Sequence, residues 1–225
     1  VYPGANSARQ LGQRTAASEA LAARLAHGSR LTYLALGPLT NLATLIQLHP
    51  EAARQIDRVV LLAGRAPAAN PGFGPRGKFH IHDANVFKDP AAVEVLLASR
   101  IPVSLMPIDT AGQLRLRPGE LRALRQTGAA GQFLSANSLI WMWFWTRFVG
   151  TEGAPVFDAA AVLAAAQPKL FRSEIRSAAI SGDGNLVARQ GATGTQREVR
   201  WYASVPPAAK TLFLARLRGR TQMRD

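Results

Sequence analysis

The sequence contains no cysteine, few acidic residues and no long uninterrupted hydrophobic run. Without cysteine, disulfides, thiolate metal ligands and a cysteine nucleophile are excluded. The longest mainly apolar segment, residues 133–149, contains Asn137 and Arg147 among other polar residues. It therefore falls short of the roughly 18 clean apolar residues that a membrane-spanning helix needs. Membrane insertion is not expected.

Basic residues dominate the charge, with 27 Lys and Arg against 14 Asp and Glu and a formal net charge of +13 at pH 7. Such a total is typical of nucleic-acid-binding proteins. The arginines are scattered, however, and the one dense cluster lies at Arg216, Arg218, Arg220 and Arg224. A solvated basic surface is favoured, and nucleic acid is not an expected partner. With 48% hydrophobic residues in 225, the chain can bury the core of one good-sized domain.

Short apolar segments alternate with helical ones, which predicts an α/β fold with a mostly parallel, Rossmann-like sheet flanked by helices. After Pro168 the pattern becomes β-rich, with Gly182-Asp183-Gly184 as a hairpin signal. The main strands are predicted at 31–36, 58–63, 101–107, 175–180, 185–189 and 198–202. The main helices are predicted at 40–48, 90–98, 118–126, 132–148, 158–166 and 208–217, with 132–148 buried because it is apolar nearly all round.

Polar residues follow the predicted strands, where ligands bind in sheets of this kind. Asp83 and Asn85 are two apart, so an extended backbone would point both the same way as a clamp for vicinal hydroxyls. His80 and His82 share that spacing, but no third zinc ligand is evident. Thr40 and Asp158 each begin a predicted helix, so capping and ligand binding both remain open for them.

Five segments in this order resemble the inosine–uridine-preferring nucleoside hydrolase family: GPLTNLA, RVVLLAG, DANVFKDPAA, IPVSLMPIDT and FDAAAVLAAAQPKL. The resemblance covers about residues 1–171. It implies the nucleoside hydrolase fold, one bound Ca²⁺, and hydrolysis of the N-glycosidic bond of ribonucleosides by a calcium-activated water. We expect residues 1–225 to form a single domain that is incomplete at its N-terminus, with residues 172–225 supplying its C-terminal strands and terminal helix.

The resemblance also implies roles for individual residues. Thr40, through its main-chain carbonyl, and Asp158 match two calcium ligands of the family. Asp83 stands where the family usually has a ribose-binding glutamate, and Asn85 matches the asparagine two residues further on. Asn70 is aligned with a loop asparagine that helps to hold the sugar.

Two departures from the family pattern change the expectation. Phe157 occupies the position of a histidine that protonates the leaving base, so it could line the base pocket but not donate a proton. The family's Asp-x-Asp-x-x-x-Asp-Asp motif, which supplies most calcium ligands and the general base, has no counterpart in the chain. No catalytic residue is therefore identified, and we expect that motif to precede Val1. The 225 residues alone are expected to bind calcium poorly and to be inactive.

Two other functions remain open: a riboside-binding relative that does not hydrolyse its ligand or has another specificity, and a basic nucleic-acid-binding protein. The expected partner molecule is a nucleoside, and homo-oligomerisation is left open. The compartment is undetermined, with the cytoplasm favoured over the periplasm or secretion.

Overall fold

The computed structural model describes residues 1–28, 30–67, 69, 71–191 and 196–219. The described residues divide into two compact units. Unit one contains those within Val1–Ala69, His82–Ile108 and Ser173–Ala203. Unit two contains those within 70–81, 109–172 and 204–225. Each unit is therefore assembled from three separate stretches of the sequence.

The strands, in chain order, are β1 (Leu31–Ala35), β2 (Ile56–Leu62), β3 (Gly72–Phe73), β4 (Phe79–His80), β5 (Val103–Met106), β6 (Arg115–Leu116), β7 (Ala154–Pro155), β8 (Ser173–Ile180), β9 (Leu186–Arg189) and β10 (Arg197–Tyr202). The α-helices are α1 (Ala16–Ala26), α2 (Thr40–Leu48), α3 (Pro50–Ala53), α4 (Ala84–Phe87), α5 (Pro90–Ala98), α6 (Ile108–Ala111), α7 (Pro118–Leu124), α8 (Ala129–Asn137), α9 (Leu139–Trp143), α10 (Phe157–Ala166) and α11 (Pro207–Leu217).

Unit one is built on a six-stranded sheet in the order β1-β2-β5-β10-β8-β9. The first four strands in that order are parallel neighbours, and β8 pairs antiparallel with both β10 and β9. The residues of β5 and the last four of β2 are buried, which accounts for their continuous apolar sequences. The mostly parallel α/β fold predicted from the sequence is confirmed. The C-terminal strands join this same sheet rather than forming one of their own.

Helix caps fix where the helices of unit one begin. The Thr15 side chain accepts a hydrogen bond from the backbone N–H of Ser18 and so caps α1 in a capping box. Asp89 caps α5 by accepting a hydrogen bond from Ala92 N, and Pro90 takes the first helical position. The hairpin turn is confirmed between β8 and β9, where Gly184 has a φ of +76° that favours glycine.

The aromatic-rich segment of unit two differs from its prediction. The single helix expected at 132–148 is divided into α8 and α9, followed by a π-helix over Phe144–Val149 that ends at Gly150. The expected burial of the whole segment is wrong, because only part of it, including Met142 and Trp145, is buried. Its exposed large side chains are Phe133, Leu139, Ile140, Trp141, Trp143 and Phe148.

Among the residues that the structure describes, no helix is both long and apolar enough to cross a membrane.

Candidate functional site

Asp83 connects two loops at the carboxyl end of β2. Its Oδ2 accepts a hydrogen bond from the backbone N–H of Gly64 at 2.7 Å. Its Oδ1 accepts from the backbone N–H groups of Asn85 at 3.2 Å and Val86 at 3.3 Å, so Asp83 is the N-cap of α4. The extended backbone predicted for this pair is therefore wrong, because Asp83 turns the chain into a helix instead.

Burial raises the pKa of the Asp83 carboxyl, and the hydrogen bonds from Gly64, Val86 and Asn85 oppose that shift. Burial removes water from the charged form of the carboxyl, and this influence on the pKa is larger than that of the hydrogen bonds. A half-buried carboxylate held by three N–H groups has a fixed orientation. A carboxylate has about two acceptor sites on each oxygen, so Oδ1 is fully used and Oδ2 keeps one site for a ligand.

Asn85 lies against the same strand end. Its Nδ2 donates a hydrogen bond to the carbonyl oxygen of Leu62, the last residue of β2, at 2.8 Å. Its Oδ1 accepts no hydrogen bond from the described part of the chain. The side chain is half-buried and oriented, with one acceptor left for a ligand hydroxyl.

Thr40 is the first residue of α2 and is buried. Its hydroxyl donates a hydrogen bond to Oδ2 of Asp89, which is also buried. Asp89 uses its other oxygen to accept from Ala92 N at 3.0 Å, so this carboxylate joins the start of α2 to the start of α5. The hydroxyl of Thr40 thus has a structural role and does not cap its own helix, whose N-cap is Leu39.

The strand topology brings three of the predicted residues to one edge of the sheet in unit one. β1 and β2 run parallel, with Ala35 opposite Leu61. Thr40 follows the carboxyl end of β1, and Asp83 and Asn85 contact the carboxyl end of β2. This is the edge at which sheets of this type bind ligands. Asp89, the buried partner of Thr40, has no sequence signal for this contact, because only the fold brings it to α2.

In unit two, Phe157 and Asp158 lie in the first turn of α10. The ring of Phe157 packs edge-on against Phe73 and Trp145, with ring centroids 5.8 and 5.9 Å away. The N-cap is Val156, whose N–H donates to the carbonyl oxygen of Leu114 at 2.9 Å. Capping therefore does not explain Asp158.

The side chain of Asp158 makes no hydrogen bond and no ion pair with the described residues. Partial burial raises the pKa of its carboxyl, and no cation offsets that effect. A carboxylate that is partly desolvated and has no partner is poised to bind a cation or a hydrogen-bond donor from outside the unit's own side chains.

A mainly apolar cavity of about 520 Å³ opens beside these two residues in unit two. Its volume lies within the range of small-molecule sites. It is lined by Leu116, Leu124, Leu134, Ser138, Trp141, Pro155, Val156, Phe157, Asp158, Ala159, Phe213 and Leu217. Trp141 is held at its wall by donating from Nε1 to the carbonyl oxygen of Pro155 at 3.0 Å. The sequence did not predict this role for Trp141, because it lies in the segment interpreted as one buried helix.

Among the described residues, the other predicted positions add no metal site. Asn70 lies outside the residues that the structure describes. His80 and His82 are exposed, and the described residues contain no group of three or more His, Asp or Glu side chains arranged to hold a metal ion. A calcium ion takes six to eight oxygen ligands, so the described residues do not fit a complete calcium site.

An α/β fold with polar residues at the carboxyl edge of a parallel sheet defines a class of ligand-binding proteins and enzymes. Within that class, residues 3–211 match the model of the inosine-uridine preferring nucleoside hydrolase family, and the chain belongs to this family. The resemblance inferred from the sequence motifs is thereby confirmed.

Relatives and solved structures agree with this assignment. The pyrimidine-specific ribonucleoside hydrolase RihA of Photobacterium profundum is 30% identical over 145 residues, which is 64% of this chain and 44% of the relative. RihA of Klebsiella pneumoniae is 28% identical over 165 residues, 72% of this chain and 50% of the relative. The chain thus spans about half the length of the curated relatives it matches.

Two solved structures share the fold. A plant nucleoside hydrolase, the PpNRh1 enzyme, has a TM-score of 0.77 at 20% identity, covering 90% of this chain and 66% of that chain. A purine-preferring ribonucleoside hydrolase from Gardnerella vaginalis has a TM-score of 0.74 at 22% identity, covering 93% of this chain and 71% of that chain. At these identities the likeness establishes the nucleoside hydrolase fold alone.

Proposed function

We propose that the protein hydrolyses the N-glycosidic bond of ribonucleosides. The observation that carries the proposal is the carboxylate of Asp158, which is partly desolvated and unpartnered among the described residues in the first turn of α10. It stands at the position of a calcium-binding aspartate in the family to which the chain belongs. The names of the relatives, which are ribonucleoside hydrolases, support the same reaction.

Asp83 and Asn85 are proposed to bind ribose hydroxyls. Glycosidic cleavage passes through an oxocarbenium-like state, and hydrogen bonds to sugar hydroxyls strengthen in that state. The two side chains are fixed by Gly64 N and the carbonyl oxygen of Leu62, so they need little reorganisation when a sugar arrives. Asp83 is one carbon shorter than the usual glutamate, and its hydrogen bonds to backbone N–H groups take up part of its acceptor capacity.

Phe157 is proposed to line the pocket for the base through its ring face. The apolar cavity next to it is suited to a flat, weakly polar group. An apolar ring provides no proton for the departing base, so Phe157 cannot replace the family's histidine in that role.

Calcium is proposed as the family's metal, with Asp158 and the carbonyl of Thr40 as two of its ligands. The described residues supply too few oxygen ligands for the six to eight that Ca²⁺ requires, so further ligands would have to come from outside them. We therefore assign no step of the reaction to the metal.

The test is hydrolysis of p-nitrophenyl riboside and uridine by the polypeptide of the complete reading frame. Asp158→Asn is expected to weaken calcium binding, as measured by calorimetry. It is also expected to lower kcat/KM by at least tenfold. Glu152→Gln removes a carboxylate that is exposed in unit two and serves as the matched control. Unchanged kcat/KM in Asp158→Asn would contradict the role of this residue. Absence of any hydrolysis by the unaltered polypeptide would contradict the proposed function.

Riboside binding without hydrolysis is the second candidate function, and the replacement of the proton donor by Phe157 favours it. It predicts saturable binding of uridine in calorimetry with no release of base. A binding isotherm together with base release would reject it.

A further inference from the structure

A second cavity lies in unit one, at the opposite end of the sheet from the candidate ribose site. It has a volume of about 540 Å³ and opens at the amino ends of β2 and β5. Its walls include the apolar side chains of Ile46, Ile56 and Ile101. The seven residues of β2, which span about 20 Å at the usual rise of about 3.3 Å per residue, lie between this cavity and Gly64.

Three arginines stand around this cavity. Arg30 pairs with Asp57 at 2.5 Å, and Arg54 pairs with Glu51 at 2.7 Å. Both ion pairs are largely exposed, and pairs of this kind contribute little free energy, so they can rearrange toward a ligand. Arg100 has no carboxylate partner and no hydrogen bond among the described residues. Asp57 is the one acidic residue in the described lining, and the three arginines still outnumber the acidic groups when Glu51, the partner of Arg54, is included.

A fourth guanidinium reinforces this charge from the neighbouring groove. That groove, of about 410 Å³, shares Asp57 and Pro102 with the cavity and contains Arg197. Arg197 donates from Nη2 to the carbonyl oxygen of Ile101 at 3.0 Å, while its buried Nε has no hydrogen-bond partner in the described part of the chain. Arg197 does not line the cavity itself, so its contribution is positive charge close to the cavity.

We propose that the cavity binds a small organic phosphate, namely a phosphomonoester attached to a planar, mainly apolar ring. Guanidinium groups bind phosphate oxygens through paired N–H donors, which accounts for the arginines. The apolar walls and the volume fit a ring of small-molecule size. The described lining contains no aromatic residue, and a half-open cavity of this size suits such a ligand better than a polynucleotide, which needs an extended basic groove with stacking aromatic residues.

The experiment is calorimetric titration of the full chain with phenyl phosphate at low ionic strength. Inorganic phosphate and a single-stranded RNA oligonucleotide are titrated in parallel. Phenyl phosphate is expected to bind at one site and at least tenfold more tightly than inorganic phosphate, because only phenyl phosphate contacts the apolar walls. Equal affinities for the two, or no binding of phenyl phosphate at millimolar concentration, would overturn the proposal.

Substitutions in the lining test whether the ligand binds in this cavity. Arg100→Glu is expected to weaken phenyl phosphate binding at least tenfold, which is about 1.4 kcal/mol. Ala98→Phe, at an exposed position of the lining, is expected to weaken it without changing charge. Arg125→Glu alters an exposed arginine of unit two and is the matched control, expected to bind as the unaltered chain does. Circular dichroism confirms that each variant is folded.

An equal loss in Arg125→Glu would mean that overall charge, and not this cavity, attracts the anion. RNA that binds more tightly than phenyl phosphate and loses affinity in Arg100→Glu would identify a polyanion surface instead. Either result rejects the small-phosphate assignment. Since hydrolysis of nucleosides is not measured in this experiment, its outcome is independent of the proposed function.

Discussion

Replacing Thr40 by valine isolates the hydrogen bond between the Thr40 hydroxyl and Asp89. Valine keeps the shape of threonine and its main-chain carbonyl, so the change removes only the donor to Asp89 Oδ2. Both residues are buried, so water cannot replace the missing donor. A hydrogen bond to a charged group contributes about 1.5–3 kcal/mol, and the variant should lose about 2 kcal/mol in its free energy of unfolding.

Asp89→Ala should cost more, because it also removes the cap on Ala92 N. Loss of a cap costs about 0.5–2 kcal/mol, which brings the expected total to about 2.5–4 kcal/mol. The double variant Thr40→Val/Asp89→Ala should be less destabilised than the sum of the two single variants, since the two residues share one interaction.

Urea unfolding followed by circular dichroism measures these free energies. Thr211→Val is the matched control, because the Thr211 hydroxyl is exposed on α11 and the change should stay within about 0.5 kcal/mol. A loss in Thr40→Val no larger than in the control, or strict additivity in the double variant, would refute the reasoning. Because the proposed calcium ligand is the carbonyl, Thr40→Val should leave metal binding unchanged while it lowers stability.

Three further predictions concern single residues of the candidate site. Burial raises the pKa of Asp158 above its ordinary value of 3.8, so the ionised carboxylate destabilises the folded state. This destabilisation is absent below pH 3.8, where the carboxyl is protonated in both states, and it grows as the pH rises through the raised pKa. Asp158→Asn should therefore gain unfolding free energy relative to the unaltered, metal-free protein as the pH rises over this range. Urea unfolding at a series of pH values measures the difference, and a difference that does not change with pH would contradict the prediction. Phe157 leaves the base without a proton donor, so kcat/KM for p-nitrophenyl riboside should exceed that for inosine by about 10²–10⁴-fold, the usual contribution of a general acid. Comparable kcat/KM values for the two substrates would show that another group donates the proton to the leaving base. Gly64 has a φ of +94°, so Gly64→Ala should cost about 1–2 kcal/mol in unfolding free energy. Gly182→Ala, in open space and without a positive φ, should be near neutral.

Local signals predicted much of unit one. The apolar sequence of β2, the Asp89-Pro90 start of α5 and the Gly182-Asp183-Gly184 turn each depend on neighbours in the sequence. Their physical causes, which are strand burial, helix capping and a glycine at positive φ, are readable without the fold.

Long-range contacts explain what the sequence could not predict. The carboxylate of Asp83 turns toward Gly64 N, nineteen residues earlier in the chain, and spacing alone does not reveal that bond. The helical pattern at 132–148 is apolar on every side, so it does not indicate which side faces solvent. In the structure Trp145 is buried, whereas Trp143 and Phe148 are exposed. The short strands β3 and β6 have two residues each and leave no periodicity to read.

The position of β10 in the sheet has a consequence for synthesis of the protein. One edge of β5 pairs with β10, with Ser104 opposite Arg200 and Leu105 opposite Trp201. Most of unit two lies between these two strands in the sequence. At about 5–20 residues per second, a ribosome leaves β5 without this neighbour for several seconds. During that time β5 is a bare, apolar edge able to pair with another nascent chain. Slow translation or early termination before β10 should therefore favour aggregation, and chaperones that shield nascent strands should raise the yield of folded protein.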